Sequence, residues 1–227
     1  MVYSTLRNLI LGPLTRYVKH FEAVIEDSVR EFSQSLKPHA RVLDAGAGEG
    51  QYKRYFTSHR YTGFDLAVGD QTWDYTGLDA RGDLEALPFP DGTFDAVVSV
   101  VTLEHVRHPQ KVVAEMGRVL GPGGQLLLIV PHQWEEHQQP HDYFRYTRYG
   151  VRYLAEQAGL RVARLEPVGG IFRLLSRRLF GATSVLPFPL DAVYLLLVLF
   201  PALLLPLLDG LDRDKTSTLG FVCIARK

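Results

Sequence analysis

One short, glycine-rich stretch, residues 42–50, constrains the fold of this chain more than any other feature. It reads Val-Leu-Asp-Ala-Gly-Ala-Gly-Glu-Gly and follows Arg41. The pattern predicts a strand, a tight turn and then a helix that starts within residues 51–56. Glycines at alternate positions let the backbone approach a ligand that a Cβ atom would push away. The N-terminal amides of the following helix would point toward the same ligand.

The residues around these glycines distinguish between the ligands that such a turn can hold. A P-loop needs Lys followed by Ser or Thr after the glycines, and neither occurs there. Dinucleotide sites favour G-x-G-x-x-G, whereas the spacing here is G-x-G-x-G. Asp44 would repel a pyrophosphate but could face a cationic ligand. An NAD-dependent oxidoreductase is nevertheless kept as an alternative.

The motif V-L-D-x-G-x-G-x-G resembles the first motif of class I S-adenosylmethionine (SAM) methyltransferases. Two later segments resemble the same family in the same order. Asp65 ends a predicted second strand 19 residues after Gly46, and residues 82–95 read G-D-x-x-x-L-P-F-x-D-x-x-F-D. The resemblance implies a type 11-like methyltransferase with SAM as cofactor, similar to bacterial lipid, quinone or glycan methyltransferases. It also implies an α/β, Rossmann-like doubly wound sheet of seven mostly parallel strands, the last one antiparallel.

The resemblance further assigns residues to the parts of the cofactor, all of them near predicted strand ends. These expected contacts are Asp44, Gly46, Gly48, Val100 and Val101 for the methionine part, Asp65 and Leu66 for the ribose, and Asp83 and Leu84 for the adenine.

The resemblance implies a single methyltransferase domain over residues 1–227, and the periodicity of the rest of the chain predicts its elements. Apolar residues at helical spacing predict N-terminal helices within residues 1–37. Strands alternate with helices over residues 38–170, which would hold the cofactor-binding core and a substrate loop. Residues 171–217 form an apolar and basic helical insertion, and residues 218–227 form the final strand.

A long polar loop, residues 131–148, leaves the predicted fifth strand at the edge where the cofactor is expected. Methyl transfer from a sulfonium mainly requires alignment, and a hydroxyl acceptor also needs a base that titrates near neutral pH. His132 and His141 are the candidate catalytic bases, the latter beside Asp142. His105, at the end of the fourth strand, is expected to be structural. The histidine spacing in the loop matches no regular metal site, so no metal is predicted.

The insertion contains 17 consecutive uncharged residues, 192–208. As a helix they would extend about 25 Å, which is shorter than the roughly 30 Å hydrocarbon core of a bilayer. The final strand must also return to the sheet, which argues against a single crossing. The sequence therefore predicts an element in the membrane surface, a lid over an apolar substrate, or a dimer contact. Arg173, Arg177 and Arg178 suit anionic headgroups.

The overall charge is balanced, with 25 basic and 25 acidic residues, so it does not indicate nucleic acid as a partner. Residues 44–95 carry a net charge of −6 and residues 145–178 a net charge of +6. In one interpretation the acidic segment holds the cofactor and the basic segment faces an anionic surface or substrate. In the other, both are the solvated faces of ordinary helices. The single cysteine, Cys223, leaves no disulfide framework and fits a reducing cytoplasm.

Together these features predict a cytoplasmic enzyme that methylates a hydroxyl or ring carbon of a small or lipid-linked acceptor. Residues 171–208 would make its peripheral contact with the inner face of the membrane. A SAM-binding protein that serves a membrane biosynthetic complex without catalysis is the other class of function that the sequence allows.

Overall fold

The computed structural model describes residues 13–69 and 72–227. Within those residues, the strands are β1 Arg41–Ala45, β2 Arg60–Asp65, β3 Ala80–Arg81, β4 Phe94–Val100, β5 Leu120–Pro131, β6 Arg161–Pro167 and β7 Gly220–Arg226. The α-helices are α1 Pro13–Val18, α2 His20–Ser35, α3 Pro109–Val119, α4 Arg148–Gln157, α5 Ile171–Ala182 and α6 Leu190–Leu204. Short 3-10 turns lie at Lys53–Tyr55, Tyr75–Gly77, Leu103–His105, Thr183–Val185 and Leu205–Leu211.

The strands form one seven-stranded sheet in the order β3-β2-β1-β4-β5-β7-β6. The pairs of β1 with β2 and β4 are parallel, as are β2 with β3 and β4 with β5. β7 runs against β5, because the backbone of Lys227 exchanges hydrogen bonds with Gly123 and Gly124 at the start of β5. The predicted Rossmann-like sheet with an antiparallel last strand is confirmed.

Long apolar runs explain why β4 and β5 occupy the centre of the sheet. Val97 and Val98 on β4 and Leu126, Leu127 and Leu128 on β5 are completely buried. Such uninterrupted burial is typical of strands covered on both faces by helices. The central strands therefore place their carboxyl ends, and the loops that follow, at a single edge of the sheet.

The predicted helix after the glycine-rich stretch is wrong. Residues 51–56 contain only the 3-10 turn Lys53–Tyr55. Only Phe56 of this segment is fully buried, and β2 begins at Arg60, so the chain has little length and little apolar surface with which to propagate a helix. No long helix therefore directs its amides at this turn, and the ligand site must depend on side chains and on the turn itself.

The N-terminal helix prediction is confirmed for the described residues. Phe21, Ile25, Val29 and Phe32 recur at intervals of three and four residues along α2 and are buried, which gives the helix its apolar face. The part of the prediction that falls on residues 1–12 lies outside the described structure.

The chain groups into two compact units. One comprises Met1–Val24 and Pro167–Gly220, described from residue 13 onward, and the other comprises Ile25–Glu166 and Phe221–Lys227. The second unit holds most of the sheet and all of the predicted cofactor contacts. The single-domain organisation over residues 1–227 stays a prediction.

Side-chain capping holds the helices of the first unit together. Asp209 accepts hydrogen bonds from the backbone amides of Gly170 and Arg173 and so caps the N-terminus of α5. Pro206 has no amide proton to offer the carbonyl of Ala202 four residues earlier. The Ser176 hydroxyl donates to that carbonyl at 2.6 Å, so the proline costs no buried unpaired group there.

The helical segment that contains the apolar run of the insertion is longer than the run itself. The run lies within a continuous helical segment, Leu190–Leu211, of 22 residues with a mean hydropathy of 2.3 over its most apolar window. Among the described residues, this segment alone has a length and composition that would allow a helix to cross a membrane. The sequence analysis counted only the 17 uncharged residues between Asp191 and Asp209 and so underestimated the length of the helical segment. That the segment does not cross a bilayer stays a prediction.

Candidate cofactor and substrate site

The glycine-rich stretch forms a left-handed bend at the end of β1. Gly46, Gly48 and Gly50 have φ angles of +90°, +54° and +73°. Residues that carry a Cβ atom rarely adopt such values. A Cβ atom on Gly46 would lie 2.1 Å from Cγ2 of Thr102, the residue that follows Val101. The bend and the loop after β4 therefore touch directly, and only glycine fits at this point.

Asp44 is a completely buried carboxyl at the end of β1. The Tyr61 hydroxyl donates a hydrogen bond to its Oδ2 atom at 2.6 Å. Its Oδ1 atom has no hydrogen-bond partner among the described residues. Burial raises the pKa of Asp44 to about 7, against the smaller opposing effect of the Tyr61 hydrogen bond. A buried carboxyl with an unused oxygen is suited to a cationic ligand group.

Asp65 ties the end of β2 to the glycine bend. Its Oδ2 atom accepts a hydrogen bond from the amide of Gly48 at 2.9 Å, and its Oδ1 atom accepts one from the amide of Ala67 at 2.7 Å. Leu66, next to it, is 50% exposed. The sequence correctly placed this carboxylate beside the glycine turn, because β1 and β2 are adjacent parallel strands.

Asp83 and Leu84 follow β3 and differ sharply in environment. Asp83 is exposed, and its Oδ1 atom accepts a hydrogen bond from the amide of Glu85 at 2.9 Å, which closes a local turn. Leu84 is only 6% exposed and belongs to the same hydrophobic core as Phe64. Asp83 is thus open to a polar partner, whereas Leu84 presents little free surface.

Val101 has an unusual backbone conformation at the end of β4. It is β-branched and has a φ angle of +52°, a region that such residues avoid. Its amide donates to the carbonyl of Ile129 on β5 at 2.8 Å, which holds the conformation in place. The neighbouring Val100 is 7% exposed. Strain of this kind is concentrated at functional sites, and the contact of Val101 with the cofactor stays a prediction.

The two candidate bases have different surroundings. His141 lines an open cleft of about 920 Å³ together with Ala67, Gly69 and Trp73, which follow β2 and Asp65. His132 does not line this cleft; its ring lies 5.6 Å from the ring of Phe221 on β7. Of the two histidines, the structure therefore brings His141 nearer to the predicted ribose contact.

His141 and Asp142, neighbours in sequence, have different partners in the structure. Asp142 binds the guanidinium of Arg145 through both oxygens, at 2.6 and 2.7 Å, and those hydrogen bonds lower its pKa to about 2. The Nδ1 atom of His141 lies 3.1 Å from the Tyr143 hydroxyl. Adjacent residues in a loop point in different directions, so neighbourhood in sequence did not indicate contact.

Sequence reasoning overlooked two residues at this edge. Trp73 lies against the glycine bend, since a Cβ atom on Gly48 would be 3.2 Å from its ring. Glu104 is completely buried after β4, and its backbone carbonyl accepts the amides of Tyr143 and Phe144 from the long loop. A tryptophan in a polar loop could have been noticed, but nothing in the sequence marks Glu104 as a buried acid.

Comparison with known proteins identifies the fold to which this edge of the sheet, at the carboxyl ends of the strands, belongs. Residues 43–128 match the methyltransferase domain family. A ubiquinone/menaquinone biosynthesis C-methyltransferase of Ectopseudomonas mendocina is 31% identical over 142 residues, which cover 56% of this chain and 52% of that protein. The chain contains a class I SAM-dependent methyltransferase domain. SAM is the cofactor of this domain, which disfavours the oxidoreductase alternative.

Two further similarities differ in scope. A probable tRNA methyltransferase 9B of Homo sapiens is 35% identical over 107 residues, which cover 45% of this chain and 24% of that protein. The solved structure of a putative methyltransferase from Bacillus halodurans has a TM-score of 0.55 and 20% identity over 89% of this chain and 98% of that one. It shows the shared fold. The chain spans 52% of the length of the Ectopseudomonas mendocina protein and 24% of the length of the human one.

Proposed function

We propose that this chain transfers the methyl group of SAM to a hydroxyl or ring carbon of an apolar, lipid-like acceptor. The observation that carries the proposal is the exposed apolar surface of Leu190–Leu211, in the same chain as the methyltransferase domain. Leu196, Leu197 and Phe200 are each more than 70% exposed. Exposed apolar surface of this extent is typical of a contact with lipid or with another protein. The quinone-modifying relative supports an apolar ring as the acceptor.

The cofactor contacts follow from the geometry of the bend. Asp44 would face the positively charged methionine end, since its free oxygen and its burial favour a cationic partner. Gly46 and Gly48 would let the backbone approach the ligand. Asp65 would bind the ribose hydroxyls by exchanging its present hydrogen bond with the Gly48 amide.

The remaining contacts complete the cofactor site along the same edge. We assign Asp83 to the adenine amino group, with Leu84 at the ring, and Leu66 beside the ribose. Val100 and Val101 would lie next to the methionine part, because Thr102, which follows them, touches the bend at Gly46.

His141 is the preferred candidate base, with His132 as the second. His141 is supported by its position: it lines the cleft together with Ala67 and Gly69, which closely follow Asp65, the predicted ribose contact. A His141→Asn variant is expected to lose at least about tenfold in turnover while retaining SAM binding, since a general base contributes about 10²–10⁴-fold. A His132→Asn variant tests the second candidate in the same assay. Unchanged turnover in both variants would remove the proposal of a histidine base.

The apolar helix, rather than the arginines, supports a peripheral contact with the inner face of the membrane. Arg173 lies 3.9 Å from Asp209, and Arg177 lies 3.9 Å from Glu22, so acidic side chains already neighbour both cations. Burial of large apolar side chains in a bilayer surface would therefore supply most of the binding energy. A substrate lid and a dimer contact are the alternative uses of this surface.

Liposome flotation tests the membrane contact. We expect the full-length chain to float with vesicles, and a Leu196→Gln/Leu197→Gln/Phe200→Gln variant to remain in the soluble fraction. Tyr149→Gln, on the exposed surface of α4, is the matched control and should float like the wild type. Wild-type protein that transfers methyl groups normally but does not float with vesicles would refute the membrane contact. A substrate lid or a dimer contact would then be the role of the helix.

Incubation with labelled SAM identifies the acceptor class. Lipid extract, the same extract depleted of quinones, and bulk tRNA are supplied in parallel, and products are analysed by mass spectrometry for a gain of one methyl group. Label in the lipid fraction supports the proposal, and label in tRNA alone would refute it. Binding of SAM without transfer to any fraction would favour the non-catalytic partner.

A further inference from the structure

A buried, unpaired carboxylate occupies the turn that follows β4. Glu104 is 0% exposed. Neither of its side-chain oxygens has a hydrogen-bond partner among the described residues. An ionised carboxylate in such a place carries a large desolvation cost unless a cation or a strong donor compensates for it. The turn therefore needs either a cation beside Glu104 or a proton on its side chain.

Two histidines direct the same ring nitrogen toward this carboxylate. The Nε2 atom of His105 lies 3.7 Å from Oε1 of Glu104, and the Nε2 atom of His137 lies 3.6 Å from the same oxygen. Both distances exceed those of hydrogen bonds. Both nitrogens are buried and lack a hydrogen-bond partner within the described part of the chain. Three buried polar atoms without a hydrogen-bond partner, one oxygen and two nitrogens, thus lie close together.

The opposite nitrogen of each histidine ring is held by a backbone carbonyl. Nδ1 of His105 lies 2.6 Å from the carbonyl oxygen of His141, and Nδ1 of His137 lies 3.1 Å from that of Glu135. A carbonyl can only accept a hydrogen bond, so each Nδ1 carries a proton, and a ring without a second proton has its lone pair on Nε2. Metal-binding histidines are oriented in the same way.

The distances also fit a small ion. Two ligands that each lie about 2.0–2.1 Å from zinc are separated by roughly 3.3–3.4 Å at a tetrahedral angle. The observed separations from Glu104 are 3.7 and 3.6 Å, and the ligand atoms of the three residues all lie within 4.8 Å of one another. Movements of a few tenths of an ångström would bring each Nε2 atom to this ligand-to-ligand distance from Glu104.

We propose that Glu104, His105 and His137 form a binding site for a divalent zinc ion. Two imidazoles and one carboxylate are a donor set that suits zinc, and they leave a fourth position for water or an acceptor oxygen. His137 belongs to the long loop, whereas the other two ligands follow β4. The ion would therefore fasten the loop that carries His141 to the edge of the sheet.

The sequence predicted no metal site, because the loop histidines lacked a regular spacing. The proposed ligands are separated by more than 30 residues and come together only through folding. The site is independent of the proposed methyl transfer, because zinc binding is measured with neither SAM nor acceptor. Failure of one proposal therefore leaves the other standing.

Metal binding to the purified full-length chain tests the site directly. Equilibrium dialysis against micromolar Zn²⁺, with elemental analysis, should give one equivalent per chain. Co²⁺ in place of Zn²⁺ should give the visible absorption of a four-coordinate ion. His137→Asn and Glu104→Gln should each weaken binding by about tenfold or more. His132→Asn, from the same loop but outside the three ligands, should bind like the wild type.

Circular dichroism establishes whether each variant is folded. If His137→Asn does not fold, Zn²⁺ binding by Glu104→Gln, which keeps the shape of the side chain, tests the site alone. Folded wild-type protein that takes up no stoichiometric Zn²⁺ would overturn the proposal, and Glu104 would then be paired with a protonated histidine or be protonated itself. Equal binding by wild type, His137→Asn and Glu104→Gln would also overturn it.

Discussion

The ionisation of Asp44 should link the stability of the fold to pH. Burial raises its pKa from 3.8 to about 7. Between these values the folded chain keeps a proton that the unfolded chain has released. The contribution of Asp44 to the free energy of unfolding is therefore fully present below about pH 4 and is lost as the pH rises to about 7.

The size of this effect follows from the shift in pKa. Each unit corresponds to about 1.4 kcal/mol, so a rise from 3.8 to about 7 corresponds to on the order of 4 kcal/mol. Asp44→Asn removes the ionisation but keeps an oxygen that can accept the Tyr61 hydrogen bond. The free energy of unfolding of the variant relative to wild type should increase by that amount between about pH 4 and about pH 8.

Urea denaturation of both proteins across this pH range measures the difference directly, and other titrating groups cancel in it. Asp95→Asn is a control of opposite sign, because hydrogen bonds from Arg41 lower the pKa of Asp95. Its contribution is present above the unfolded pKa and is lost as the pH falls. A difference between Asp44→Asn and wild type that is flat across the range would refute the reasoning.

Cofactor binding should report on the same carboxyl. If Asp44 faces the cationic methionine end of SAM, binding favours its ionised form and releases a proton below about pH 7. Calorimetry in buffers of different ionisation enthalpy should detect that release in the wild type, with affinity rising up to about tenfold per pH unit until the carboxyl is ionised. Asp44→Asn should bind more weakly and with no such dependence. Proton release by the variant equal to that of the wild type would exclude this role.

Two further pairs of substitutions, each a test with its control, examine how the backbone is held. Gly46→Ala should destabilise the fold by about 3 kcal/mol or more and abolish SAM binding, because its Cβ would lie 2.1 Å from Thr102. Gly50→Ala, at a similar left-handed φ with open space around it, should cost only about 1 kcal/mol, and equal losses of thermal stability would contradict the steric argument. Ser176→Ala should cost about 1–3 kcal/mol, because it leaves a proline-freed carbonyl unpaired. The exposed Ser184→Ala should be nearly neutral in chemical denaturation, and a comparable loss there would show that the buried hydrogen bond has no special role.

The amino-acid sequence by itself determined the sheet and its functional edge. The β-branched run of β4 and the glycine bend after β1 have strong local preferences, and parallel strands bring their carboxyl ends to the same edge. Asp65 was therefore placed beside the bend correctly, and its hydrogen bond to the Gly48 amide confirms that neighbourhood.

Only the tertiary structure decided which side chains meet in the loops and how strongly they are buried. Asp142 turns to Arg145 rather than His141, and Glu104 comes to face His105 and His137. The pKa of Asp44 is raised to about 7 only because the folded core removes water from the carboxyl. Periodicity reports which face of an element is apolar, whereas contacts between distant loops and the dielectric environment of a buried acid depend on the packing of the whole fold.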